Sequence, residues 1–264
     1  GPVMTVALGE RQVRVGYFPI GIDYRDFNDR SRSARAAQAA AELQADLRHR
    51  TVVLGADRLD YSKGIPQRFE AMRALLGRYP ELRSRISLLQ IVVPSREDLP
   101  EYRAMKEEID RLVGDINSQY GEPGYMPIQY LYRNLDRDEL VAAYRAADIG
   151  LVTPLRDGMN LVAKEYCACN SAETGVLVLS EFAGAEYQLR SGALLVNPYD
   201  VEGVADALRR ACLMPAEERR QRMRRMRAGV RKFDIFWWVD TFLQAAFGRH
   251  LEDFPQQEQP YAGR

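Results

Sequence analysis

The chain has 264 residues, 46% of them hydrophobic, enough to bury the core of one α/β domain or two small ones, which excludes a largely disordered chain. Lys plus Arg and Asp plus Glu both number 37, so no net field draws the chain to nucleic acid or to a membrane, and any anion site must be local. The 3 cysteines, Cys167, Cys169 and Cys212, lack the spacing of a zinc site or a disulfide framework, and no apolar run reaches the roughly 18 residues of a membrane span, which predicts a reduced, cytoplasmic protein.

In chain order, Gly1 and Pro2 read as an expression-tag scar. Residues 13–20 read as one strand and residues 31–50 as a single Ala-rich helix. From residue 51 onward β-rich runs alternate with helical patterns, the order of a parallel sheet wrapped by helices. Strands are expected at 51–55, 86–93, 128–132, 149–153, 176–179 and 194–196, most of them continuous apolar runs, as burial on both faces requires. Helices are expected at 66–78, 99–119, 137–146, 160–169 and 201–214. In the second, Tyr102, Met105, Ile109, Leu112, Val113 and Ile116 recur at three and four and form one apolar stripe. Cys167 and Cys169 lie in an apolar stretch and read as core packing. The Arg-rich helix 216–232 carries Met223, Met226 and Val230 on one edge, so its arginines read as a solvated face rather than a nucleic-acid stripe. In the last helix, 235–247, Ile235, Trp238, Val239, Phe242 and Ala246 form a stripe, with Phe236 and Trp237 on a neighbouring face. One domain is expected over 3–255, with a flexible tail at 256–264.

Three loops at carboxyl strand ends carry the candidate chemistry. The strand from residue 51 runs into Arg58, Leu59, Asp60, Tyr61, Ser62, Lys63 and Gly64, and Pro66 then opens a helix. Ligands of open parallel sheets bind at such ends. Arg58 offers a planar fork and Lys63 a compact ammonium, a pair suited to a diphosphate; the competing reading is a solvated loop with an Asp60 ion pair. After the strand at 149–153 come Pro154, Leu155, Arg156, Asp157, Gly158, Met159 and Asn160, a Gly-containing turn that meets a helix amino terminus able to hold an anion or a sugar hydroxyl. Asp157 and Glu165 are expected about two helical turns apart, roughly 12 Å, one reaching a sugar and the other a ribose. Glu165 follows an apolar run and either faces a ligand or pairs with Lys164 or Arg156. Arg96, in Pro94-Ser95-Arg96-Glu97-Asp98, either faces a phosphate or pairs with Glu97 or Asp98. The segment 180–185, S-E-F-A-G-A, lies at the same edge and is placed as the site's floor. His49 and His250 are the only histidines and read as surface residues, so a catalytic triad or a histidine metal site is not expected, and neither a P-loop nor G-x-G-x-x-G occurs.

R-L-D-Y-S-K-G at 58–64 and T-P-L-R-D-G-M-N-L-V-A-K-E-Y at 153–166 together resemble the trehalose-6-phosphate synthase family of retaining glycosyltransferases, and the second string is highly specific. P-I-G-I-D at 19–23, V-P-S-R at 93–96, V-L-V-L-S-E-F-A-G-A at 176–185 and N-P-Y-D at 197–200 extend the resemblance over most of 13–250. It implies a Rossmann-like parallel sheet with helices on both faces, the carboxyl-terminal half of a GT-B fold. Arg58 and Lys63 would bind the diphosphate of UDP-glucose and stabilise it as it leaves. Leu161, Val162, Ala163, Lys164 and Glu165 would line the nucleotide, with Glu165 on the ribose hydroxyls, while Asp157 and Gly158 would contact the glucose and Met159 and Asn160 continue the donor-binding run. Arg96 would reach the phosphate of glucose 6-phosphate, and Leu135 takes a nucleotide-side position where some relatives carry a larger apolar residue.

No cofactor or metal is implied; UDP-glucose is the donor substrate, and the leaving diphosphate helps take the acceptor proton. Asp157 and Glu165 are thereby assigned to binding rather than to the acid–base pair of a glycosidase. The chain has residues for only one of two GT-B domains, so it is expected to be an excised donor domain that lacks the amino-terminal acceptor domain and transfers little. In GT-B folds the last helix often crosses to the other domain, which would leave part of its aromatic face for that domain or for a homo-oligomer; the alternative is that Phe236 and Trp237 both bury locally. Two other readings stand beside this one: the donor domain of a glucosylglycerol-phosphate synthase, and a non-catalytic nucleotide-sugar-binding regulatory module.

Overall fold

A computed structural model describes residues 4–9, 11–48 and 50–247. His49, His250, the two leading residues and the tail at 256–264 lie outside them. The chain opens with an antiparallel hairpin of β1 (Met4–Leu8) and β2 (Arg11–Val15). The strand expected at 13–20 is therefore shorter, and residues 16–23 run without regular structure. Pro19 has no N–H to give a ladder. The carbonyls of this linker are used elsewhere: Phe18 accepts from the Trp238 indole at 2.9 Å and Ile22 from the Ile235 amide at 2.9 Å.

The single helix expected at 31–50 is two, α1 (Tyr24–Arg32) and α2 (Ala34–Asp46). Ser33 breaks them: its backbone is extended (φ −61°, ψ 151°) and its hydroxyl caps the Ala36 amide. A serine hydroxyl competes with the helix for backbone amides, and counting alanines misses that competition.

The rest is a parallel sheet of β3 (Thr51–Arg58), β4 (Ile86–Val93), β5 (Ile128–Tyr132), β6 (Ile149–Val152), β7 (Val176–Ser180) and β8 (Leu194–Val196), in the order β5-β4-β3-β6-β7-β8. Between the strands run α3 (Ile65–Arg78), α4 (Pro100–Tyr120), α5 (Arg137–Ala146), α6 (Leu161–Cys169) and the short α7 (Glu186–Leu189). After β8 come α8 (Val201–Leu213), α9 (Ala216–Lys232) and α10 (Ile235–Phe247). Successive strand residues point to opposite faces. Val52, Leu54 and Ala56 of β3 accordingly join one core with α1, α2, α5, α6 and α9, and Val53 joins a second with α3, α4 and α8. Each fully buried Leu, Ile or Phe contributes about 1.5–3 kcal/mol, so two cores clamp the sheet from both sides.

β3 runs past the expected end at residue 55 because Ala56, Asp57 and Arg58 pair with Ile91, Val92 and Val93 of β4. The expected stripe on α4 is buried at Tyr102, Ile109, Leu112 and Ile116, and Cys167 and Cys169 are core residues. One arginine of α9 departs from the solvated face. Arg227 is buried and donates to the Cys167 and Ala168 carbonyls at 2.9 and 2.6 Å, capping the last turn of α6. On α10, Trp238 stacks on Phe242, Phe242 meets Phe18 edge-on at 5.7 Å and Trp237 packs against Phe233, while Phe236 stays exposed. Among the described residues no helix is long and apolar enough to cross a membrane.

The winding direction decides where a site can sit. From β3 the chain moves outward through β4 to β5, then returns to the other side of β3 for β6, β7 and β8. The loops leaving β3 and β6 thus part in opposite directions and open a crevice at the carboxyl edge, the topological switch point of an open α/β sheet.

Candidate functional site

The first crevice loop leaves β3 at Arg58, whose side chain is exposed and makes no hydrogen bond or ion pair among the described residues. Leu59 is buried and anchors the turn, and its amide donates to the Val93 carbonyl at 2.8 Å. Asp60 caps its own loop, accepting from the Ser62 amide at 2.8 Å and the Ser62 hydroxyl at 2.6 Å. Burial opposes the Asp60 carboxylate, but these bonds and the nearby Lys63 and Arg58 outweigh it and hold its carboxyl below the ordinary value. The sequence left open an ion pair of Asp60 with a loop cation; the structure spends Asp60 on Ser62 instead. Gly64 closes the turn at φ +66°, with space for no side chain, since a Cβ would lie 2.7 Å from the Thr153 carbonyl oxygen.

The second loop is bound to the first. Leu155 and Arg156 donate their amides to the Ser62 carbonyl at 2.8 and 3.3 Å. Lys63 Nζ meets Asp157 Oδ2 at 2.6 Å, with the two side chains only 17% and 12% exposed. Asp157 also accepts from the Met159 amide and the Asn160 side chain, both at 3.2 Å. Burial works against this carboxylate too, yet Lys63 and the two further donors keep its carboxyl below the ordinary value.

The third loop, after β7, lies beneath, where 180–185 was expected. Asp157 donates to the Phe182 carbonyl at 3.2 Å, and Gly184 donates to the Asp157 carbonyl at 2.7 Å. A Cβ at Gly184 would fall 2.0 Å from the Gly158 carbonyl oxygen, so this approach requires glycine. Gly158 and Met159 are exposed above it.

Asn160, at φ +60°, caps α6 by accepting from the Ala163 amide at 3.1 Å. The amides of Leu161 and Val162, in the first turn of α6, have no partner within the helix. Because α6 starts at Leu161, Asp157 stands on a loop, and the expected spacing of two helical turns to Glu165 does not hold. Glu165 pairs with neither Lys164 nor Arg156. Its Oε2 accepts from the Tyr144 hydroxyl at 2.7 Å, and burial pushes its carboxyl up while Tyr144 and Arg137 pull it down. The Lys164 ammonium is used on the linker: the residue is 2% exposed and donates from Nζ to the Ile20 carbonyl at 2.6 Å, and burial pushes its pKa down to about 8.

Arg96 follows β4, beside the Arg58 loop, and is exposed with φ +50°. It pairs with neither Glu97 nor Asp98; its Nη1 meets the Tyr102 hydroxyl at 3.3 Å, and Glu97 accepts from Tyr132 instead. Leu135, half-buried in the turn before α5, packs on the core that contains Ala163 and Tyr144. Among the described residues no cluster of three or more His, Cys, Asp or Glu could hold a metal ion.

These loops and strands have known counterparts. A family model described as glycosyltransferase family 20 matches residues 3–247. The chain belongs to that family. Its six-stranded sheet is that of GT-B trehalose-phosphate synthases, as the motifs implied. The trehalose-6-phosphate synthase of Mycolicibacterium smegmatis is 48% identical over 241 residues, which are 91% of this chain and 48% of that protein. An alpha,alpha-trehalose-phosphate synthase (UDP-forming) A of Dictyostelium discoideum is 44% identical over 89% of this chain and 32% of its own length. Among solved structures, a UDP-forming alpha,alpha-trehalose-phosphate synthase of Burkholderia xenovorans in complex with glucose-6-phosphate superposes with a TM-score of 0.89 at 39% identity, covering 94% of this chain and 55% of that one. An Escherichia coli structure of this kind, bound with UDP-2-fluoro glucose, has a TM-score of 0.85 at 39% identity, covering 92% and 55%. The chain spans about half the length of such relatives or less.

Sequence reasoning missed the polar residues under the site. Asp57, Arg68, Gln90 and Thr153 are all buried there, and Tyr144 sits fully buried behind Glu165. The signal was an Asp and a Gln inside otherwise apolar buried strands, which is costly unless the groups are paired.

Proposed function

We propose that this chain is the donor-binding half of a retaining glucosyltransferase that makes α,α-trehalose 6-phosphate from UDP-glucose and glucose 6-phosphate. The observation that carries the reading is the pair of cations on the β3 loop at the switch point, with Lys63 in contact with Asp157 across the crevice. Arg58 and Lys63 clamp the donor diphosphate, Asp157 and Gly158 take the glucose, and Leu161 to Glu165 take the nucleotide, with Glu165 on the ribose. Lys164 contributes its backbone to this run, since its ammonium is used on Ile20. Relatives described as UDP-forming, and neighbours bound with glucose-6-phosphate and with UDP-2-fluoro glucose, support these ligands.

The chemistry needs no protein nucleophile. The bond from the anomeric carbon to the diphosphate oxygen breaks while the acceptor hydroxyl bonds to that carbon from the same face. The hydroxyl proton passes to the departing phosphate. Arg58 and Lys63 stabilise the charge that grows on the diphosphate, so positioning and electrostatics supply the rate. Arg96, exposed on the next loop, meets the acceptor phosphate. The remaining acceptor contacts belong to the other half of the relatives' length, so this chain alone binds donor and transfers little.

Calorimetric titration with UDP-glucose, UDP and ADP-glucose, on the wild type and on Lys63→Ala, tests the donor site. Binding of UDP-glucose weakened about thirtyfold in the variant is the expected result; a wild type that binds none of them refutes the reading. Turnover equal to that of a full-length relative would refute the inactivity.

A further inference from the structure

We propose that Arg68 is the positioning residue that holds the diphosphate clamp in register. It sits in the first turns of α3, and its side chain has no exposed surface. From there its guanidinium reaches β3, β4 and the residue that follows β6. Nη1 meets Asp57 Oδ2 of β3 at 2.5 Å and Gln90 Oε1 of β4 at 2.9 Å. Nε reaches Thr153 Oγ1, just past β6, at 3.3 Å, and Nη2 reaches the Lys63 carbonyl at 3.4 Å.

These contacts fall next to the groups assigned to the ligand. Asp57 directly precedes Arg58, the Lys63 contact is to that residue's own backbone, and Thr153 opens the loop that carries Asp157. One buried fork therefore joins the two loops that diverge at the switch point. Space is kept for it: a Cβ at Gly55 would lie 2.2 Å from Gln90 Oε1 and 2.5 Å from Arg68 Nη1.

Stability alone does not account for this arrangement, because a buried ion pair is often matched or exceeded by well-packed apolar residues of the same volume. An apolar group could fill the space, but it could not fix the Lys63 carbonyl and the Thr153 hydroxyl against each other. A planar fork with five donors does so, and a lysine ammonium cannot reproduce its geometry.

The inference rests on reading Arg58 and Lys63 as a diphosphate clamp, and one series of titrations separates the two. UDP and UMP are titrated calorimetrically into the wild type, Arg68→Lys, Lys63→Ala and the double variant. A wild type with no preference for UDP over UMP refutes the clamp reading before any variant is considered. Given that preference, Arg68→Lys is expected to weaken UDP about tenfold through clamp misplacement, to leave UMP within about twofold, and to add less than fully to Lys63→Ala. Equal losses for UDP and UMP, or full additivity with Lys63→Ala, would reduce Arg68 to a purely structural role and overturn the proposal. If Arg68→Lys does not melt cooperatively, Gln90→Met, which removes one acceptor from the fork and leaves both loops intact, carries the same comparison with the same two outcomes.

Discussion

Asp157 and Glu165 are carried by one continuous stretch of chain yet meet opposite surroundings. Asp157, on the crevice loop, touches a cation and two further donors, so it stays charged although it is largely covered. Glu165, one turn into α6, has no ion-pair partner among the described residues, and burial raises its carboxyl although the Tyr144 hydroxyl it accepts from works the other way. The two ends therefore suit different ligand groups. On the proposed donor-site reading, a diphosphate would compete with Asp157 for Lys63, whereas Glu165 would offer an acceptor to hydroxyls. Which partner each carboxylate finds, rather than the carboxylate itself, sets its chemistry.

The comparison can be broken at its charged end first. Lys63→Ala is expected to cost about 2 kcal/mol of UDP-glucose binding, roughly thirtyfold in Kd by calorimetry. It also leaves Asp157 without its cation, so the Asp157 carboxyl should climb in an NMR titration. In the wild type the depressed carboxyl contributes stability that is present above the unfolded value and lost as pH falls through the folded one, and Lys63→Ala should weaken that acid-side loss.

At the neutral end, Tyr144→Phe removes the hydroxyl and leaves a buried acceptor unmet, at a cost of about 1.5 kcal/mol, or a melting temperature lower by about 3–6 °C. The penalty should shrink on the acid side, where Glu165 is protonated. A loss that does not vary with pH would show that the hydroxyl is not serving the carboxylate.

Between the two carboxylates, Lys164 gives a third handle. Its folded value near 8 lies below its ordinary 10.5, so between these values the folded protein holds fewer protons than the unfolded chain. Stability from this group therefore rises as pH increases across that window. The difference in melting temperature between wild type and Lys164→Met should shift in favour of the wild type from pH 8 upward; a constant difference would mean that the ammonium is solvated. The smallest effect belongs outside both ends. Arg96→Ala should leave UDP binding within about 0.5 kcal/mol, since Arg96 is exposed and among the described residues its side chain reaches only Tyr102.

Much of this site was legible in sequence because its parts are local. Arg58 and Lys63 share one strand-to-helix loop, and Asp157 to Glu165 run from the loop after β6 into the first turn of α6; Gly64 and Pro66 mark where the first loop ends. What was misread depended on partners far along the chain. Lys164 is adjacent in sequence to Glu165, yet its ammonium goes to Ile20, and Glu165 goes to Tyr144. Ser33, a cap inside an Ala-rich pattern, split a helix that residue counting joined. Arg227, one of many arginines on a solvated helix, turned out to cap α6 from inside the core.

Periodicity and strand-ending loops by themselves determined the alternation of strands and helices, the buried parallel sheet and the membership of the two cation- and carboxylate-bearing loops, because each depends on residues a few positions apart. Only the tertiary structure decided that β6 returns beside β3, that Lys63 meets Asp157 across the resulting crevice, and that Arg68 lies beneath them joined to Asp57, Gln90 and Thr153. The reason is physical: a buried charge or polar group takes whichever partner the packed fold brings within hydrogen-bond reach, and that partner is set by strand order rather than by distance along the chain.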